Sequence, residues 1–187
     1  MWPWEHVAFA YLLYSPLLRL VTRRGPDGRA AVLLAAGAIL PDVVDKTLSW
    51  WLGVFPTGYA LAHSIFLAVP VGLILLWTRR NRATAAFLAG YWAHLLGDIV
   101  DPIRGGRPPD VSRVLWPVVV GEPYEESLGV RRGVVYLQEF LLELPTTDLT
   151  SPAVLYLLLP LVAVLVWVVD GAPGLDACRR LLTPDRN

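Results

Sequence analysis

Residues 90–102 read GYWAHLLGDIVDP. His94, Asp98 and Asp101 stand in it at spacing i, i+4, i+7, which an α-helix lines up on one face. They sit in an apolar run that extends over residues 83 to 101. Ionisable groups inside such a run are costly, so a stripe of three calls for something that compensates their burial.

Working outward, the same apolar character recurs along the chain. Of 187 residues, 55% are hydrophobic, more than a water-soluble chain needs. Sixteen basic residues balance 16 acidic ones, so no net field favours nucleic acid or an acidic partner. Cys178 is the single cysteine, which excludes an internal disulfide and a CxxC zinc site. Any metal chemistry must use His, Asp and Glu. The opening MWPWEHVAFAYLL lacks the basic start and cleavage pattern of a signal peptide, and we read it as a retained helix.

Five apolar segments stand out, at about 4–21, 30–45, 60–78, 83–101 and 152–170. Crossing a bilayer takes about 20 apolar residues. The expected fold class is therefore all-α: a polytopic membrane helix bundle of about five transmembrane helices, forming a single integral membrane domain over 1–187. Pro41 is placed to kink or end the second segment. In the loop 102–151, VVYLQEFLLEL at 134–144 has the spacing of an extra amphipathic helix, suited to the membrane surface or to capping the bundle.

Orientation follows from arginine. Arg23, Arg24 and Arg29, then Arg79, Arg80 and Arg82, then Arg179 and Arg180 collect in three places that fall on one side of a five-helix topology. By the positive-inside rule that side is cytoplasmic. The expectation is a multi-pass protein of a prokaryotic cell membrane, with the N-terminus outside and the C-terminus inside.

This arrangement gathers the three histidines at the outer face. His6 opens the first segment, His63 lies early in the third, and His94 is in the outer half of the fourth. Asp42 and Asp45 end the second segment and Asp98 and Asp101 the fourth. Imidazole and carboxylate groups converging from several helices suit a divalent metal, zinc first, with manganese or iron as alternatives. Each residue also has a plainer reading. His6 fits an aromatic belt beside Trp2 and Trp4, Asp42 a turn after Pro41, and Asp45 a pair with Lys46. His94 with Asp98 fits a polar helix contact, and Asp101 before Pro102 a helix end.

At these residues the chain resembles the YdjM-like membrane proteins, described as LexA-binding, inner-membrane-associated hydrolases and often labelled metal-dependent hydrolases. The matching pieces are His6, GAILPDVVDK with Asp42 and Asp45, AHS at His63, GYWAHLLGDIVDP with His94 and Asp98, and LWP at 115–117. They cover about residues 1–120. The resemblance implies a multi-helix membrane protein whose histidines and aspartates ligate metal. One departure stands out: the common form carries another histidine five residues before His63, in an HRGFTHS-like stretch, where this chain has Gly58.

The function expected is a membrane-embedded metal-dependent hydrolase using a metal-activated water on a lipid-linked ester or phosphoester. Its metal ligands would be His6, Asp42, His63, His94 and Asp98, with Asp45 or Asp101 as the catalytic carboxylate. Glu5 is a spare candidate for that role, and Arg104 and Arg107 are placed to meet phosphate. The alternative is a non-enzymatic metal-binding membrane scaffold or transport-related protein. The expected partners are the lipid bilayer and a lipid-linked substrate. No basic aromatic surface points to nucleic acid, and no GxSxG or phosphate loop is present.

Overall fold

A computed structural model describes residues 1–126, 128–143 and 154–175 of the chain. These residues form six α-helices and no strand: α1 (Pro3–Thr22), α2 (Gly28–Lys46), α3 (Ile65–Thr78), α4 (Arg82–Val100), α5 (Arg131–Glu143) and α6 (Leu155–Val169). Local chemistry sets the ends. Pro3 opens α1, where a missing N–H costs nothing, and the Glu5 carboxylate accepts from Trp2 N–H at 2.7 Å. Asp27 caps α2 by accepting from Ala30 N–H at 2.8 Å, and Asn81 caps α4 by accepting from Thr84 N–H at 2.9 Å. Arg23 stops α1 with a left-handed φ of 57°.

Each of the five apolar segments holds a helix, and α5 falls where the amphipathic helix was expected. Pro41 does not end α2, which runs on to Lys46. Full membrane spans are where the expectation has to be corrected: among the described residues no helix is long and apolar enough to cross a membrane. The most apolar helices, α3 and α6, have 14 and 15 residues. At 1.5 Å per residue they reach roughly 21–23 Å, short of the ~30 Å hydrocarbon core. Helices α1, α2 and α4 have 19 or 20 residues but carry His, Asp and Arg within them. Arg179 and Arg180, two of the residues used to orient the chain, lie outside the described residues.

The bundle centres on α2 and α4, which cross at two glycines. A Cβ on Gly37 would stand 2.0 Å from the Phe87 carbonyl oxygen, and one on Gly90 2.0 Å from the Leu34 carbonyl oxygen. No other residue lets the backbones approach so closely. Around this crossing a core of Ala10, Tyr11, Leu34, Ala38 and Ala93 forms where α1 packs against both helices. Small side chains dominate it, so the ends of α1, α2 and α4 are drawn together. Helix α6 lies against α1, tied by Asp170, which accepts from Tyr11 Oη at 2.7 Å, Ser15 Oγ at 2.5 Å and Arg19 Nε at 2.6 Å. Helix α5 covers the start of α1, with Phe140 5.2 Å from Trp2 and Tyr136 edge-on to Trp50 at 6.2 Å.

Candidate metal centre

Four side chains from three elements converge at the end of the α2/α4 pair. Asp42 comes from the last turns of α2, His63 from the turn before α3, and His94 and Asp98 from successive turns of α4. All are at most 5% exposed. One ligand atom from each lies within 4.8 Å of the others. His63 Nε2 is 3.0 Å from His94 Nε2 and 3.3 Å from Asp98 Oδ2. His94 Nε2 is 3.4 Å from the same oxygen. Asp42 Oδ1 stands 3.7 and 3.8 Å from the two imidazole nitrogens. A tetrahedral ion with bonds of about 2.0–2.2 Å has ligand-to-ligand edges of about 3.3–3.6 Å. This group of residues can hold a divalent metal ion.

The hydrogen bonds behind the imidazoles sharpen that statement. His94 Nδ1 is 2.6 Å from the Ala38 carbonyl oxygen, which can only accept, so Nδ1 carries the hydrogen. His63 Nδ1 donates to Asp45 Oδ2 at 2.7 Å. In the neutral rings both Nε2 atoms are therefore bare lone pairs, facing each other at 3.0 Å. Two acceptors at that distance repel, and a positive centre between them removes the conflict. Asp98 Oδ2 is likewise buried without a hydrogen-bond partner. An orphaned buried acceptor is costly in a protein interior, and coordination would satisfy this oxygen together with the two imidazole nitrogens. Backbone carbonyl and carboxylate partners behind ligating histidines are the usual supporting arrangement in metal sites.

Asp45 is spent on the turn that delivers His63. Besides His63 Nδ1, its two oxygens accept from the backbone N–H groups of Ala60 at 2.9 Å, Ala62 at 2.9 and 3.1 Å, and His63 at 3.0 Å. This explains why α3 starts at Ile65 and not near 60: the residues before it bend around a buried carboxylate. Tyr91 Oη donates to the Ala62 carbonyl and Ser64 Oγ to the Trp116 carbonyl, fixing the other side of the turn.

The remaining candidates lie on the opposite side of Asp98. His6 stacks on His94 with centroids 3.7 Å apart, and its Nε2 is 3.4 Å from Asp98 Oδ1. It stands outside the four-atom group. Glu5 is fully buried and accepts from Arg104 Nη1 at 2.5 Å. Arg104 also bonds Asp101, so this arginine is engaged with carboxylates, while Arg107 is exposed. Burial works to raise the half-buried Asp101 carboxyl, but the Met1 amino group and Arg104 outweigh it and hold it below the usual carboxylate range. With Lys46, Trp2, Trp4, Trp50, Tyr136 and others, Asp101 lines a cavity of 460 Å³ beneath α5. Lys46 Nζ in turn donates to Asp42 Oδ2 at 2.5 Å.

Several supporting residues were not anticipated from sequence. The Ala38 carbonyl has no side-chain signature in the sequence. Arg113 donates to the Asp98 carbonyl at 3.1 Å and lies over the Tyr59 ring at 5.2 Å. Tyr59 meets the His63 ring edge-on at 5.0 Å. Gly58, where the family's common form has histidine, donates its N–H to Tyr124 Oη at 3.0 Å. A Cβ there would come within 2.9 Å of that hydroxyl and 3.5 Å of Lys46 Cγ, so Tyr124 and Lys46 fill the space a side chain would need.

The fold and site define an all-α bundle protein with a buried His2Asp2 group of metal-ligating character. The sequence profile of the YdjM inner membrane protein family matches residues 1–173, and the chain belongs to that family. No curated protein and no solved structure matches it significantly.

Proposed function

We propose that this chain is a membrane-embedded metal-dependent hydrolase whose divalent ion, zinc first and manganese or iron as alternatives, is held by Asp42, His63, His94 and Asp98. The observation that carries the reading is the pair of facing Nε2 lone pairs 3.0 Å apart, each backed by an acceptor at Nδ1. An ion bound there supplies Lewis acidity toward water and substrate. Asp45 orients His63, and its saturated oxygens leave it no capacity to take a proton. Asp101 is the better candidate for proton transfer, since it borders the cavity beside the site. Trp2, Trp4 and Trp50 give that cavity apolar walls, which favours a lipid-linked ester or phosphoester over a free polar substrate.

The family description and the exposed apolar surface support residence in a membrane. Leu73, Ile74 and Trp77 on α3 and Leu165, Val168 and Val169 on α6 all present large apolar side chains outward, more than an aqueous surface tolerates. In the orientation given by the arginine loops, the metal centre and the N-terminus face the non-cytoplasmic side. Helices this short would need local thinning of the bilayer or flanking polar residues to complete a span.

A second reading, a metal-binding scaffold without catalysis, is favoured by the count of four protein ligands, because structural zinc sites are closed whereas catalytic ones keep a position open. Both readings are tested by measuring metal in detergent-purified protein beside a His94→Ala, Asp98→Ala double variant, then assaying ester and phosphoester lipids. Bound metal lost in the variant, together with metal-dependent hydrolysis, supports the enzyme. Bound metal with no hydrolysis of any lipid supports the scaffold, and a parent that takes up no metal defeats both.

A further inference from the structure

We infer that a second cavity bordered by Trp50 receives a zwitterionic lipid head group, a phosphate joined to an amine, with Arg132 taking the phosphate and Glu125 and Glu126 the amine. The inference rests on the reading of the chain as a hydrolase of lipid-linked esters, whose substrate class it narrows. The cavity measures 610 Å³ and is formed by the π-helical turn Thr47–Trp51, the chain around Phe55 and residues 123–126, with Arg132 of α5 lining it as well. Arg132 is 7% exposed. Its Nη1 donates to Tyr136 Oη at 3.2 Å and its Nη2 to the Glu126 carbonyl, both neutral acceptors, and its guanidinium lies over the Tyr124 ring at 3.8 Å. No carboxylate among the described residues pairs with it. A buried guanidinium without a counter-ion is costly, and its planar fork suits bidentate contact with a phosphate.

Glu125 and Glu126 line the same cavity, are exposed, and pair with no cation among the described residues. Charges of both signs thus border one space without neutralising each other. A plain anion there would meet two carboxylates and a plain amine a guanidinium, whereas a phosphate-amine zwitterion offers each group its opposite. Ser49 also lines the cavity, and its Oγ is buried with no hydrogen-bond partner, a hydroxyl still to be used. Trp50, Trp51, Phe55 and Tyr124 supply aromatic walls, against which ammonium groups bind favourably.

The apolar part of such a ligand has a place too. Trp50 belongs to the walls of both this cavity and the 460 Å³ apolar one that Asp101 lines. Tyr124 Oη accepts from Trp50 Nε1 at 3.1 Å, and Lys46 Nζ lies over the Trp50 ring at 5.5 Å. Lys46 is also the residue that donates to Asp42. A lipid with its head group beside Arg132 and its chains against Trp2 and Trp4 therefore crosses at Trp50 and Lys46, on the Asp42 side of the metal centre. A soluble phosphate-amine would leave the apolar cavity unused, which favours the lipid as the source.

Delipidated full-length protein in detergent is incubated with equal amounts of phosphatidylethanolamine and phosphatidylglycerol bearing the same acyl chains. Bound lipid is counted by native mass spectrometry, and metal content is read on the same sample. The parent should favour phosphatidylethanolamine by about tenfold, the ratio that one charge-assisted contact gives. The double variant Glu125→Gln, Glu126→Gln changes only exposed side chains and should bring the two lipids level, while Arg132→Gln should weaken both. No preference in a parent that carries its metal overturns the head-group site and leaves the metal centre standing. A preference undiminished in the double variant overturns the assignment to this cavity, and binding of free phosphoethanolamine without binding of lipid overturns the lipid source. Preference without hydrolysis of either lipid supports the cavity and counts against the hydrolase.

Discussion

His63 Nε2 and His94 Nε2 face each other across 3.0 Å, while the Nδ1 of each ring is held by an acceptor, Asp45 for one and the Ala38 carbonyl for the other. With both rings neutral the two lone pairs repel, and a bound cation between them relieves that repulsion. A chelator should therefore lower the unfolding temperature of the protein, and readdition of zinc should restore it. At free metal 100 times the dissociation constant, linkage gives about 2.7 kcal/mol of stabilisation. A melting curve indifferent to chelator and metal would remove the centre from the account.

Metal retention should also fall steeply on acidification. Imidazole coordinates a metal only through an unprotonated nitrogen. Bound metal measured after dialysis between pH 8 and pH 5 should decrease with pH, because protons and the ion compete for the same Nε2 lone pairs. Retention that is flat across this range would contradict coordination by His63 and His94.

Asp45→Asn tests the orienting role. An amide offers one acceptor where the turn demands two, and its NH2 would confront backbone donors from Ala60, Ala62 and His63. Loss of a supporting carboxylate behind a metal-bound histidine typically costs about 10–100-fold in metal affinity. A titration giving unchanged affinity for Asp45→Asn would return Asp45 to the list of groups free for proton transfer.

Much of the centre was legible because helical periodicity is a strong signal. The i, i+4 pair His94 and Asp98 does share a face, and Asp42, His63 and both α4 residues meet as expected. What the spacing could not separate was role. Asp42 and Asp45 lie three residues apart on one helix, yet one faces the imidazole nitrogens and the other is consumed by a turn 15 residues later, a long-range relation no local pattern encodes. Asp101 likewise leaves the α4 stripe because the chain tightens into a 3-10 turn at Asp101–Gly105. The apolar runs located the helices well but overstated their reach, since hydrophobicity does not distinguish a full span from a helix whose first residues are bent away to bind Asp45.

The Gly37/Gly90 crossing makes a prediction about the fold that carries the site. Gly90→Ala would push a methyl group to 2.0 Å from the Leu34 carbonyl, a backbone atom that cannot swing aside. The helices must separate, and overpacking of this kind costs about 1–3 kcal/mol or more. Because Ala38 lies four residues beyond Leu34, its carbonyl would move away from His94 Nδ1. Thermal unfolding and metal content should therefore fall together in Gly90→Ala, whereas Gly72→Ala, whose Cβ would meet its nearest neighbours at 3.7 and 3.8 Å, should leave metal content unchanged. A Gly90→Ala protein of parental stability would show that the crossing is not as tight as described.

At the other end of α1, Asp170 gathers Tyr11, Ser15 and Arg19 around one carboxylate. Burial tends to raise this carboxyl, but hydrogen bonds from Ser15, Tyr11 and Arg19 prevail and hold it below the usual aspartate value. A folded-state value below the unfolded one means that the carboxylate contributes stability above the unfolded value, near pH 4, and loses it as pH falls through the folded one. Asp170→Asn should therefore be destabilised at neutral pH, by about 1–3 kcal/mol if one buried donor is left unpaired, and the gap to the parent should narrow on acidification below pH 4. Because this contact lies at the far end of α1 from His6, the variant should keep its metal while losing stability. Equal loss of metal would show that the α1–α6 tie and the metal centre form one cooperative unit, and that the helix ends around Asp98 depend on the whole length of α1.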